Sequence, residues 1–156
     1  MRECGSCNEC CTVFEIAELS KPMHTPCQHV RSGTRCCAIY SSRPKECQTF
    51  TCHYLWGWGG AAVRPDRLGV IVVQTLPDVK QFDDFGLKIL HAFEVHDGAF
   101  KRPQWLHIVR RLDASGMVCL CLPKKDSGGA ARFLMGNQKA GAQWNTLEGL
   151  SLEHKI

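Results

Sequence analysis

Apolar and polar residues change rhythm along this chain, and the changes predict its elements. Between Thr12 and Leu19, the apolar Val13, Phe14, Ile16, Ala17 and Leu19 are interrupted by Glu15 and Glu18, a spacing that predicts a short helix ended by Ser20, Pro22 and Pro26. Lys21 to Arg35 is polar and turn-rich and reads as a loop. Ser41 or Ser42 can cap a second short helix whose first turn is Arg43-Pro44, where proline forfeits no needed donor, and Cys47 falls one turn into it. After Arg67 aliphatic residues dominate. Leu68 to Leu76, with Val70-Ile71-Val72-Val73, is the strongest strand, and Leu87 to Val95 is the next. Pro103 opens a helix with Leu106, Val109 and Leu112 on one face and Trp105 and Ile108 at its edges, closed by Gly116. Met117 to Leu122 and Ala131 to Met135 read as further strands. From Gly136 the sequence reads as a loose tail anchored by Trp144 and Leu147.

The expected fold class is therefore α+β: a metal-organised, Cys-rich N-terminal lobe of short helices and loops, packed on a small, mainly antiparallel sheet with one helix. Residues 1–60 would form the Cys-rich lobe, 61–136 the supporting lobe and 137–156 the tail. All three belong to one domain, because the first lobe has too few aliphatic residues to build a core of its own. A chain of 156 residues is long enough to bury one real core.

An apolar fraction of 44% and a charged fraction of 22% are ordinary for a globular protein. No apolar run approaches the ~18 residues of a membrane span, so no membrane association is expected. Met1-Arg2-Glu3-Cys4 puts no apolar leader before the first cysteine, which predicts a reducing, cytoplasmic setting. The formal charge of +4 is shared evenly between the halves of the chain and counts every thiol as neutral. Eight thiolates on two divalent ions would cancel it, so the apparent basicity does not point to nucleic acid.

Cysteine changes the picture most. Nine of the eleven cysteines lie between Cys4 and Cys52, the densest run being Cys4-Gly5-Ser6-Cys7-Asn8-Glu9-Cys10-Cys11. An odd count, the missing leader and the spacing all point away from disulfides. Each Cys-x2-Cys step can turn two thiolates back onto one ion. In a helix, alternatively, Cys4, Cys7 and Cys11 would share a face with Cys10 beside them. Either geometry gathers the thiols. Adjacent Cys10 and Cys11 diverge, so one of them is expected to serve a second centre or another purpose. Cys27, Cys37, Cys47 and Cys52 bring the thiols to eight, enough for two four-ligand sites.

The residues around these cysteines carry a resemblance. Thr25-Pro26-Cys27, Cys37-Ala38-Ile39-Tyr40, Arg43-Pro44-Lys45-Glu46-Cys47 and Phe50-Thr51-Cys52, together with the opening run, resemble the CxxCxxCC family of zinc- or iron-chelating domains, also called YkgJ-type cysteine-cluster proteins. The match covers about a third of the chain. It implies that Cys4, Cys7, Cys10, Cys11, Cys27, Cys37, Cys47 and Cys52 are the metal ligands. Asn8 replaces an expected glycine, and Gln48 replaces an expected basic residue that would have offset thiolate charge.

Other residues have more ordinary readings. His24, His29 and His53 lie close enough to the cysteines to serve as alternative ligands, whereas His91, His96 and His107 are expected to be structural. Cys119 and Cys121 would share one strand face as small buried hydrophobes, and Cys36 is either a substitute for Cys37 or a bystander. Phe50, Tyr54, Leu55, Trp56 and Trp58 should roof the site as core residues. Gly57, Gly59 and Gly60 form a junction that lacks a phosphate-loop pattern. No nucleophile elbow or paired acids are visible.

Zinc suits four closed thiolates, while Cys4-x2-Cys7-x2-Cys10 is also the spacing of the first three ligands in a bacterial ferredoxin run. Three functions follow: a protein that chelates zinc or iron; an iron–sulfur enzyme or accessory factor, since flagellin lysine methylases carry a similar motif; or a zinc-dependent adaptor for nucleic acid or protein.

Overall fold

The computed structural model describes residues 2–31, 37–74, 89–115, 117–124, 132–135 and 143–146. Four consecutive β-branched residues place strand β1 at Val70–Gln74, and it pairs antiparallel with β2 at Ile89–Glu94. β2 runs parallel to β3 (Val118–Leu122), which requires a crossover. Helix Pro103–Ala114, the longest in the described residues, lies in that crossover. β4 (Arg132–Met135) and β5 (Gln143–Thr146) extend the sheet antiparallel in the order β1-β2-β3-β4-β5. Three of the four pairings are antiparallel, and the fold is α+β as expected.

The two-residue period of the strands sorts the core into two layers. Val70 and Val72 of β1, Leu90 and Ala92 of β2, and Cys119 and Cys121 of β3 pack with the crossover helix. That helix buries Trp105, Ile108, Val109 and Leu112, a stripe at i, i+3, i+4 and i+7, with Trp105 at 0% exposure. Leu106, placed at the centre of the face from sequence, lies at its margin and is only partly buried. On the opposite layer Ile71 pairs with Phe93, and they join Val73 and Val95 in a cluster with Val13 and Cys52 of the N-terminal segment. The sheet is thus covered by a helix on one side and by cysteine-bearing chain on the other.

The N-terminal elements are shorter than the sequence pattern predicts. In place of one helix over 12–19, α1 spans Cys10–Val13 and a single 3-10 turn spans Ala17–Leu19. Phe14 leaves helical geometry at ψ 146, with its ring 4.8 Å from Phe50 and 4.9 Å from Phe93. Ile16 is extended, buried, and bridged to Lys21. Tertiary burial of these two side chains outweighs the weak propensity of a short helix.

α2 spans Lys45–Thr49, and neither serine caps it. The Lys45 N–H donates instead to Glu18 Oε1 at 2.7 Å, and the Ala17 N–H donates to Glu46 Oε2 at 3.1 Å, so two carboxylates lock α2 to the preceding turn. α3 (Pro65–Leu68) takes Leu68 out of the predicted strand. Gly69 then turns at φ +77, where a Cβ would stand 2.9 Å from that of Ala99. The crossover helix is α4.

His53 N–H donates to Val72 O at 2.8 Å, so the outer edge of β1 is met by the residue after Cys52. Gln143–Thr146 lies within the stretch read as a loose tail but pairs with β4, placing Trp144 opposite Leu134. Leu147 and the rest of that stretch lie outside the described residues, as do Thr75, Leu76, Leu87, Gly116 and Ala131. No described helix is long and apolar enough to cross a membrane.

Trp105→Ala should lower stability by about 3–5 kcal/mol in urea unfolding, the usual cost of emptying a fully buried indole site. A loss under about 1 kcal/mol would show that the helix is not pinned there.

Candidate metal centre

The opening cysteines follow the turn geometry: Cys4 and Cys7 precede α1, which begins at Cys10, so the helical alternative with Cys4, Cys7 and Cys11 on one face does not form. Gly5 at φ +56 reverses the chain, and the Cys7 N–H closes on Cys4 O at 3.0 Å. The Cys11 N–H then reaches Asn8 O at 2.9 Å as α1 begins. Cys52 arrives from the segment after α2 and is buried. The Leu55 N–H returns to Cys52 O at 3.0 Å, and the Arg2 N–H to Leu55 O at 2.9 Å, tying the start of the chain to this second segment.

These contacts bring Cys4, Cys7, Cys10 and Cys52 to the wall of one cavity of about 20 Å³. Phe50, Tyr54, Leu55 and Ile71 supply much of the remaining wall. A single water needs roughly 10–15 Å³, so the space is of atomic size. Cys7 Sγ accepts backbone N–H groups of Glu9 and Asp66. Asp66 is held by both Arg64 Nε and Nη2 at 2.7 Å, and Arg64 Nη2 also donates to Ser6 Oγ at 3.3 Å. Such N–H donation is the support a thiolate ligand needs from its surroundings.

The other four expected ligands gather beside this cavity. The Cys27 N–H donates to Cys11 O at 3.0 Å, the Val30 N–H to Cys27 O at 3.1 Å, and Val30 bridges to Cys37. Cys47, on α2, feels the thiols of Cys11, Cys27 and Cys37. Among the described residues, no group of three or more Cys, His, Asp or Glu side chains forms an array that could hold an ion as it stands. The donor chemistry, all soft sulfur, fits zinc or iron, but its geometry is not closed around an ion.

Burial and mutual repulsion set the protonation of these thiols. Burial first, then Cys52 and Cys11, raises Cys4, and burial raises Cys7 to about 11. The hydrogen bond with Cys11, then burial, pushes Cys10 well up. The same hydrogen bond lowers Cys11 to about 7, assisted by the cations of Lys21 and Arg43. Burial raises Cys47, and the three neighbouring thiols add to that. A divalent cation would reverse this balance by stabilising every thiolate at once.

Lys21 is the residue the sequence reading missed. It is buried at 6% exposure, its ammonium donates to the carbonyls of Thr12 (3.2 Å), Phe14 and Pro22 (3.1 Å), and it senses Cys27, Cys11, Cys10 and Cys47. A lone lysine between Ser20 and Pro22 in a polar loop carries no periodic signal. With Arg43, it supplies the positive charge that Gln48 lacks.

The remaining expectations divide. Phe50, Tyr54 and Leu55 line the cavity, but Trp58 packs against the helix-side core and Trp56 is 59% exposed. His53 lies between Trp56 and Trp58, its Nε2 without a hydrogen-bond partner and its imidazolium disfavoured by burial. It does not line the thiol cavity. His29 stands beside Gln28, and His24 takes a left-handed turn at φ +55. His96 meets Glu9 at 3.6 Å, His91 is buried in β2, and His107 is exposed on α4. Cys119 and Cys121 are 0% and 1% exposed in the core on the helix side of the sheet, away from the thiol cavity. Their mutual hydrogen bond and burial hold Cys121 strongly protonated. Cys36 lies outside the described residues.

No protein family matches the chain, and neither the curated proteins nor the solved structures contain a match.

In the metal-free chain, Lys21→Met should raise the Cys11 thiol, because a cation favouring the thiolate is removed. The pH profile of Cys11 alkylation by iodoacetamide, followed by peptide mapping, should move to higher pH. An unmoved midpoint would mean that Lys21 does not act on this thiol.

Proposed function

We propose that this chain is a cysteine-cluster protein that chelates zinc or iron, the latter as an iron–sulfur cluster if sulfide is present, through Cys4, Cys7, Cys10, Cys11, Cys27, Cys37, Cys47 and Cys52. The observation that carries the reading is that Cys4, Cys7, Cys10 and Cys52, drawn from the opening turn, α1 and the segment after α2, line one cavity of about 20 Å³. Four soft donors from separated segments around an atom-sized space form a set that a thiophilic ion can close. The resemblance to CxxCxxCC proteins leads to the same ligands.

Apolar burial alone explains this gathering poorly. Of the eight, only Cys27 and Cys52 are buried, and the other six are partly exposed. A cytoplasmic, reducing compartment would keep such thiols available to metal. The placement of Cys119 and Cys121 makes them packing residues in this reading.

Elemental analysis with acid-labile sulfide, on protein purified without oxygen, tests the proposal. Bound zinc or iron is expected, with sulfide only in the iron form. Cys7→Ser should lower metal per chain, whereas Cys121→Ser should leave it unchanged at a stability cost of about 1–3 kcal/mol for a buried hydroxyl. A chain without metal, or equal metal loss in the two variants, would refute it.

A further inference from the structure

We infer that the eight thiols form two separate four-thiol centres, Cys4, Cys7, Cys10 and Cys52 in one and Cys11, Cys27, Cys37 and Cys47 in the other, divided between adjacent residues of α1. This inference rests on the metal-binding reading and assigns the partition that spacing alone leaves open.

The division begins with helix geometry. Successive side chains on a helix point about 100° apart, so Cys10 and Cys11 leave α1 in different directions. Cys10 packs towards the cluster of Val13, Cys52 and Ile71 on the sheet face and reaches the cavity already walled by Cys4 and Cys7. Cys11 is joined instead to the loop, through the Cys27 N–H at 3.0 Å.

The same loop brings Cys37 within reach through the bridge from Val30. Cys47 comes from α2, which Glu18 and Glu46 lock onto the turn after α1. α2 thus carries Cys47 to the side of Cys11 and the loop, as the fourth thiol of the second set.

The surroundings differ as well. The first set lines a cavity with Phe50, Leu55 and Ile71, while Cys27, Cys11 and Cys47 of the second act on the Lys21 ammonium, which Cys10 also reaches. Closing each set of four thiolates around one ion would give the coordination that structural zinc prefers. Cys10 and Cys11 meet through a hydrogen bond, so the two sets are neighbours across α1.

The test uses the unmodified full chain reconstituted with Zn2+ alone. One equivalent of zinc is withdrawn with a chelator, freed thiols are pulse-labelled with N-ethylmaleimide, and labels are mapped on individual chains by mass spectrometry. Two zinc ions per chain are expected, and a labelled chain should carry its labels within one set of four. As an independent arm, native mass spectrometry should find one ion on the same-set variant C4S/C52S and none on the cross-set variant C10S/C27S. Labels shared between Cys10 and Cys11 after loss of one ion, or a single ion per chain bridging all eight thiols, would overturn the partition while leaving metal binding intact. A chain that takes up neither Zn2+ nor Fe2+ would overturn the metal reading and the partition with it.

Discussion

The apolar face made by Ile71, Val73 and Phe93 is what holds the cysteine-bearing segment in place. Val13, Phe14, Phe50 and Cys52 are pressed onto it, and the remaining backbone of the segment is arranged around those contacts. Phe14 and Ile16 illustrate the cost: both leave helical geometry, one to reach the sheet and one to be buried against Lys21. The cavity walled by four thiols therefore has Ile71 as its floor. Its position is set by the sheet, although its chemistry comes from the turns above.

Electrostatics act against this arrangement unless charge is supplied. Buried thiols resist ionisation, and several of them close together resist it more, as the raised Cys4, Cys7, Cys10 and Cys47 show. Cys11 escapes because Cys10 donates to it and Lys21 and Arg43 stand near. Under the proposed function, a metal ion meets the same need for all eight thiols. Ligation would also replace the apolar burial that a polar loop such as 21–31 does not provide.

Much of the supporting half was legible in sequence because it follows simple periods. Val70-Ile71-Val72-Val73 reads as a strand, and Pro103 with Leu106, Val109 and Leu112 on one face reads as a helix; both elements stand close to their expected positions, with Leu106 at the margin of the buried stripe. The N-terminal half was less legible, because its elements are a few residues long and tertiary contacts set their ends. Ser41 and Ser42 read as caps, but the Glu18 carboxylate, distant in sequence, accepts the first N–H of α2 instead. The eight cysteines stand out in the sequence by spacing and by the family resemblance of their surroundings, whereas their neighbourhoods depend on which way Cys10 and Cys11 leave α1. Lys21 could not have been found at all, since its role rests on three carbonyls converging in space.

The central claim is that the cysteine-bearing segment owes its order to the sheet face beneath it and, in the proposed function, to ligation by its thiols. Hydrogen exchange followed by mass spectrometry, before and after complete metal removal under reducing conditions, tests it most directly. Residues 2–31 and 37–58 should lose protection on metal removal while β1, β2, β3 and α4 keep most of theirs, because the helix-side core contains none of the eight proposed ligands. Equal protection in both halves after the metal is gone would contradict the account.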